Sequence, residues 1–320
     1  MTNIALERYS GDILLAMPTG AMMAIEGSST FHRLNESLLF EMRRAMALPQ
    51  TETTQAFIRL LFGRATRKFT DLVLGLDHEI ELHGSMEGAR WLLSHFVKGY
   101  DANGEENIPN TGPLLIVSNH PASYDGMVIS AYINRPDYKI IIGEIPPYRY
   151  LPHVSQHAIF SPPVQNTFGR MQTVRNAIQH LKDRGALLIF PRGGIEPDPA
   201  WMPHPDGEFN KWSRSLEIFL QKVPRTRVLV TTVSGVIARN AMLHPITWLR
   251  KARPDRQRLA FMYQMLRQIL TGKELFGLTP RVTFGEVLSS SNPQHILSEV
   301  EQAARCTLQR HQSLFKIESL

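Results

Sequence analysis

The chain has a single cysteine, Cys306, among its 320 residues. One thiol excludes an intramolecular disulfide and a cluster of thiolates around a metal. Set near the C-terminal end of an amphipathic stretch, Cys306 is expected to be a small buried apolar residue. Long apolar runs are also missing. No segment approaches the ~20 residues that a spanning helix needs. The first apolar stretch, Ile13 to Met17, follows Glu7, Arg8 and Asp12 rather than a basic segment, and Pro18 and Gly20 interrupt it. It therefore does not read as a secretory leader. There is no G-x-S-x-G elbow, Walker A loop, G-x-G-x-x-G fingerprint or H-E-x-x-H pair, and each absence weakens one familiar enzyme class. His153 and His157 are four apart, and His204 and His244 are unassigned, but their Pro-rich surroundings suit ordinary surface or core histidines. No internal repeat, low-complexity tract or nucleic-acid-binding module is visible.

What is present is a globular composition, 43% hydrophobic and 20% charged, with 35 Lys and Arg against 29 Asp and Glu. The net charge of +6 and the isoelectric point near 9.5 suit an anionic partner. Phospholipid surface, phosphorylated substrate, coenzyme A and nucleic acid all satisfy that condition.

Residues 1–30 are weakly patterned. A helix is expected over 31–48, capped by Ser29 or Thr30, with Leu34, Leu38, Met42 and Met46 in a stripe and Pro49 as the stop. A second helix over 52–75 carries an apolar arc beside Arg59, Arg64, Arg67 and Lys68. This pair suits packing on a main domain with a solvated basic face, and equally a surface that docks on a membrane or partner. The pattern predicts an N-terminal helical subdomain over 1–78 and an α/β domain over 79–320. Glu79 to His83 alternates like a strand. Residues 85–97 and 168–184 read as helices, 101–112 as a polar loop, and 255–271 and 293–312 as helices. Strands are expected at 114–118, 138–143, 157–160, 186–190, 227–233 and 281–284. The alternation predicts a layered mixed β-sheet flanked by helices.

The most informative segment is Asn119-His120-Pro121-Ala122-Ser123-Tyr124-Asp125-Gly126, at the exit of the buried strand 114–118. On one continuous helix, positions five apart diverge by ~140°. With His120 in the turn and Asp125 in the first turn of a following helix, capped by Ser123 and stopped by Pro136, the two side chains meet. An imidazole held by a carboxylate is the minimum equipment of a general base. The same spacing also suits a capping Asp and a His that hydrogen-bonds the turn. A second block, Phe190-Pro191-Arg192-Gly193-Gly194-Ile195-Glu196-Pro197, follows a strand. Its glycines let backbone approach an anion that Arg192 could grip, or form an ordinary turn.

Together, Asn119-His120-x4-Asp125-Gly126 and, about 65 residues on, Phe190-Pro191-x-Gly193 resemble the H-x4-D and F-P-E-G-T-R blocks of the PlsC/glycerol-3-phosphate acyltransferase-like glycerolipid acyltransferases. Val282 to Val287 resembles the strand and Gly-Glu segment that closes many such domains. The likeness covers residues 79–310. It implies that His120 deprotonates an acceptor hydroxyl and Asp125 holds its ring. It further implies an acyl thioester donor on coenzyme A or acyl carrier protein, no other cofactor, no metal and no nucleic acid. Asn119, Gly126, Arg170, Arg175, Arg192, Gly193 and Gly194 are the implied substrate contacts, with Arg170 preferred to Arg175 for an anion. The chain departs from the family where Arg192 stands for the usual glutamate and Gly194-Ile195 for Thr-Arg. The expectation is a cytoplasmic enzyme peripherally bound to the inner membrane face, acting on lysophosphatidate, glycerol 3-phosphate or another hydroxylated lipid. The alternative is a non-catalytic lipid-binding protein on the same fold.

Overall fold

The computed structural model describes residues 19–45, 48–213, 215–289 and 296–315. The expectations for residues 1–18 and for Met46 lie outside them. The chain divides into two units, Met1–Leu74 and Gly75–Leu320.

In the first unit, α1 (Thr19–Ala45) starts earlier than expected, so Ser29 and Thr30 lie inside it rather than capping it. α2 (Glu52–Ser94) begins with Thr51, whose Oγ1 accepts from the Thr54 N–H at 3.3 Å, the bond of an N-cap to the third helical residue. Arg59 grips both carboxylate oxygens of Glu36 at 2.8 Å, joining the two helices.

Gly75 does not stop α2, and Glu79–His83 is helical rather than a strand. The alternation there was coincidental. His78 with Glu81 and His83 with Glu79 are pairs across one helical turn. The break comes at Gly84, where φ is +85°, a conformation open to glycine. The two legs on either side lie so close that a Cβ on Gly75 would sit 2.6 Å from the Trp91 ring, and one on Gly88 would sit 2.4 Å from Ile80. Gly75 is therefore a contact surface for a neighbouring helical leg.

The second unit continues with β1 (Asp101–Asn103), β2 (Leu114–Ser118), α3 (Asp125–Ser130), β3 (Tyr138–Gly143), α4 (Pro152–Gln156), β4 (Ala158–Ser161) and α5 (Thr167–Lys182). It then runs through β5 (Ala186–Ile189), α6 (Ser215–Lys222), β6 (Arg227–Ser234), α7 (Arg239–Leu243), α8 (Arg253–Thr271), β7 (Arg281–Ser289) and α9 (Ile296–Leu314). The expected polar loop at 101–112 contains the short strand β1. Cys306 on α9 is exposed, not buried, because the inward stripe of that helix is Ile296, Val300, Ala304 and Leu308.

These strands form one mixed sheet in the order β1-β7-β6-β2-β5-β3-β4, flanked by helices. β2 to β6 are parallel, and β7 runs antiparallel to β6. Central β2 pairs Leu114 with Ala186 on one side and Arg227 on the other, and all five of its residues are buried. That is why it reads as an unbroken apolar run rather than an alternation. One face of β2, β5 and β6 packs on α5, α6 and α9 through Leu181, Phe219 and Val300. Because β2 to β6 share one direction, all their carboxyl ends open on the same edge, where ligands of such sheets bind.

Candidate active site

β2 ends at Ser118, and Asn119 extends it by one rung with a side chain. Its Nδ2 donates to Val233 O at 2.9 Å and its Oδ1 accepts from the Val233 N–H at 2.8 Å. The amide stands in for a peptide group against β6. The main chain can therefore leave the sheet at His120 without orphaning Val233. Asn119 is 3% exposed and fully engaged by this pairing.

His120 and Asp125 meet across the turn, with Nδ1 2.8 Å from Oδ2. Asp125 is completely buried, and both its oxygens accept from the Ala122 N–H, at 2.9 and 3.0 Å. The carboxylate thus closes its own turn and fixes the imidazole together. Ser123 is exposed and does not cap the helix. α3 starts after Tyr124 with no side-chain cap, and the short helix ends at Ser130. Tyr124 instead turns inward and donates to Val236 O at 2.8 Å. Gly126 lies under Ile140, whose Cδ1 would be 2.6 Å from an added Cβ, so its position serves packing of α3 on β3.

The second block lies on the other side of the histidine. Phe190 stacks on the imidazole at 4.4 Å between ring centroids. Burial alone would lower the pKa of His120, but the Asp125 carboxylate beside it wins and raises it above 6.5. Among the described residues Nε2 has no protein partner, and the side chain keeps 24% of its exposure. A neutral imidazole held this way carries its proton on Nδ1 and leaves the lone pair on Nε2.

Glu196, which no sequence pattern assigns a role, joins the two blocks. Its Oε2 accepts from the His120 N–H at 2.6 Å, and its own N–H donates to His120 O at 2.9 Å. Its Oε1 accepts from Trp212 Nε1 at 2.8 Å. Gln257 on α8 donates to both Pro121 O and Glu196 O, and Arg253 holds that amide at 2.7 Å. The two blocks are thus stitched together behind the imidazole. No local pattern marks Gln257 or Arg253, since they reach the site from a helix over 130 positions away in sequence.

Burial pushes the Glu196 carboxyl up from 4.5 to about 7, against the hydrogen bonds from Trp212 and His120. Between those values the folded state holds a proton that the unfolded chain has released. Stability therefore falls as pH rises through that window. Glu196→Gln lacks the titration. Urea denaturation at a series of pH values should show the wild type losing about 3 kcal/mol relative to the variant across it.

The remaining expected contacts divide. Arg192 is held by Glu208 at 2.8 Å, in a group with Lys211 and Arg253. Gly193 turns with φ +63° and has open space where a Cβ would sit, while a Cβ on Gly194 would lie 3.7 Å from Arg192 Nη1. Arg170 and Arg175 are exposed on the first and third turns of α5, which leaves the same sheet edge through β4, and neither is ion-paired among the described residues. His153 is engaged by Asp77 and His157 by the Tyr138 carbonyl.

The His–carboxylate pair thus sits at the carboxyl end of the central strand of a parallel-centred sheet. Residues 100–221, from β1 into α6, match the Acyltransferase family model. Over those residues the chain is similar to the acyltransferases that the model describes. Among solved structures it is similar to the 1-acyl-sn-glycerophosphate (LPA) acyltransferase PlsC from Thermotoga maritima. Identity is 13%, with 91% of this chain and 96% of that chain covered and a TM-score of 0.42. No curated protein matches the chain significantly.

Proposed function

We propose that the chain is an O-acyltransferase that moves a fatty acyl group from a thioester to a hydroxyl of a glycerolipid precursor, with His120 as general base. The reading is carried by the 2.8 Å contact of Nδ1 with buried Asp125, which leaves Nε2 free. In this reading Nε2 takes the acceptor's hydroxyl proton as the oxygen attacks the thioester carbonyl. The new C–O bond forms, the C–S bond breaks, and the imidazolium returns its proton to the departing thiolate. Asp125 supports the transient cation, and backbone amides near the site stabilise the oxyanion. Lysophosphatidate and glycerol 3-phosphate are the favoured acceptors, and the T. maritima relative acts, by its name, on the first. Arg170, exposed at the same sheet edge as His120 and without an ion-pair partner among the described residues, is the candidate ligand for the acceptor phosphate.

The enzyme works from the inner membrane surface in this proposal. Among the described residues no helix is long and apolar enough to cross a membrane. Coenzyme A and acyl carrier protein both remain donors compatible with the site.

The test is release of free thiol from long-chain acyl-CoA or acyl carrier protein, with and without each acceptor, and mass spectrometry of the lipid product. Acceptor-dependent release is expected. Vesicle binding without thiol release from either donor under any acceptor would instead mark a lipid-binding protein on an acyltransferase fold.

A further inference from the structure

Beyond β6 the chain builds a short projection on a firm frame. Val236 and Ile237 donate to Asp198, and the Ala238 N–H donates to Gln264 of α8. Thr247 is buried, and its hydroxyl donates to the carbonyls of Met242 and His244, each at 2.9 Å. The His244 ring stacks on Tyr263 at 4.0 Å. On this frame Leu243, Ile246, Trp248 and Leu249 face solvent at 61, 39, 68 and 74% exposure. Isolated exposed apolar residues are ordinary, but four within seven positions on a fixed backbone form a patch that water disfavours.

The charge beside the patch has one sign. Arg239 precedes it, Arg250 and Lys251 follow it, and all three are exposed without an ion-pair partner among the described residues. No acidic residue occurs between Glu217 and Asp255. Tryptophan and leucine flanked by arginine and lysine match the chemistry of a bilayer boundary with phosphate headgroups.

The position of the patch points the same way. It ends four residues before Arg253, whose Nη2 donates to Ile195 O in the second block. A second exposed apolar pair, Val164 and Phe168 at 72 and 73%, lies beside Arg170 where β4 gives way to α5. β6 and β4 lie on opposite sides of β2 in the sheet, and all three open on one edge. The two apolar-and-basic patches therefore bracket His120, as a flat surface requires.

We propose that this carboxyl edge is the membrane-seating face. Trp248 and Leu249 enter the headgroup boundary of an anionic phospholipid bilayer, and Arg250 and Lys251 contact its phosphates. The proposal rests on the reading of the acceptor as a lipid, and it adds which surface meets the bilayer.

Sedimentation of the full chain with phosphatidylcholine vesicles, with and without phosphatidylglycerol, tests it. Binding to the anionic vesicles is expected, weakening with salt. Trp248→Ala/Leu249→Ala should weaken it at least tenfold, and Arg250→Glu/Lys251→Glu should abolish the preference for phosphatidylglycerol. Both variants should keep the wild-type circular dichroism and melting profile, since these side chains are exposed. Brominated lipid should quench Trp248, the most exposed of the four tryptophans. Undiminished vesicle binding by the Trp248/Leu249 variant overturns this face while leaving a membrane enzyme intact. No binding by the wild type overturns the face and the membrane location together, whereas thiol release in solution still judges the chemistry. A change of oligomeric state in the variant with vesicle binding unaltered overturns the proposal in favour of contact between copies of the chain.

Discussion

His120→Ala is expected to lower acyl transfer by roughly 10³-fold, or ~4 kcal/mol in the barrier, with the fold retained. The imidazole is partly exposed, and Asp125 keeps its hydrogen bonds from the Ala122 N–H when the ring is removed. Loss of rate without loss of circular dichroism separates chemistry from folding. Asp125→Asn refines the result. The amide can still close the turn but no longer stabilises an imidazolium, and a loss on the order of 10²-fold is expected. The pH profile carries a further signature. In the proposed mechanism transfer requires neutral His120, so kcat/KM should rise with pH through a pKa that Asp125 holds above 6.5. In Asp125→Asn that midpoint should move to lower pH. Wild-type rates in His120→Ala would remove the general base from the mechanism.

Asp198→Ala is expected to cost about 4 kcal/mol of stability, a large share of what a domain has. Asp198 is completely buried. Oδ1 accepts from the N–H groups of Ala200 and Gly235 at 3.0 and 2.8 Å, and Oδ2 from those of Val236 and Ile237 at 2.9 and 3.1 Å. One carboxylate thus satisfies four backbone donors from two segments, those of Val236 and Ile237 buried and those of Ala200 and Gly235 half-buried, and alanine would leave all four without this partner. Asp198→Asn keeps one acceptor oxygen and should lose less. The shift in urea midpoint measures both. Asp198 does not touch His120, so the folded fraction of either variant should retain transfer, unlike His120→Ala.

The comparison between sequence and structure turns on range. β2, β5 and β6 were legible because a strand buried on both faces must be apolar at every position, and a run such as Leu114 to Val117 has few other readings. The His120–Asp125 contact was legible because both partners lie in one turn. Glu79 to His83 misled because Ile80 faces Gly88 on a second helical leg, and period two over five residues cannot reveal a partner that appears only after a reversal. Cys306 misled because its helix is amphipathic and one residue type does not say which face it occupies. Ser123 has the chemistry of a cap, but burying Tyr124 and turning Asp125 back toward Ala122 left it outside. Glu196 and Gln257 escaped notice as site residues, and Asp198 as a structural one, because their roles are largely bonds to backbone. Such bonds demand a carboxylate or amide in the right place and leave no spacing rule behind.

The outer pairing of the sheet has a consequence for biosynthesis. β1 is held beside β7, with Asp101 opposite Arg281, 180 positions later. β7 also supplies the antiparallel neighbour of β6. A nascent chain can therefore bring its histidine and carboxylate together early, while two strand edges stay open until β7 has been made. Ribosome-bound intermediates ending before residue 281 would expose those edges and need a chaperone's cover, and the arrival of β7 decides when the sheet becomes safe from aggregation.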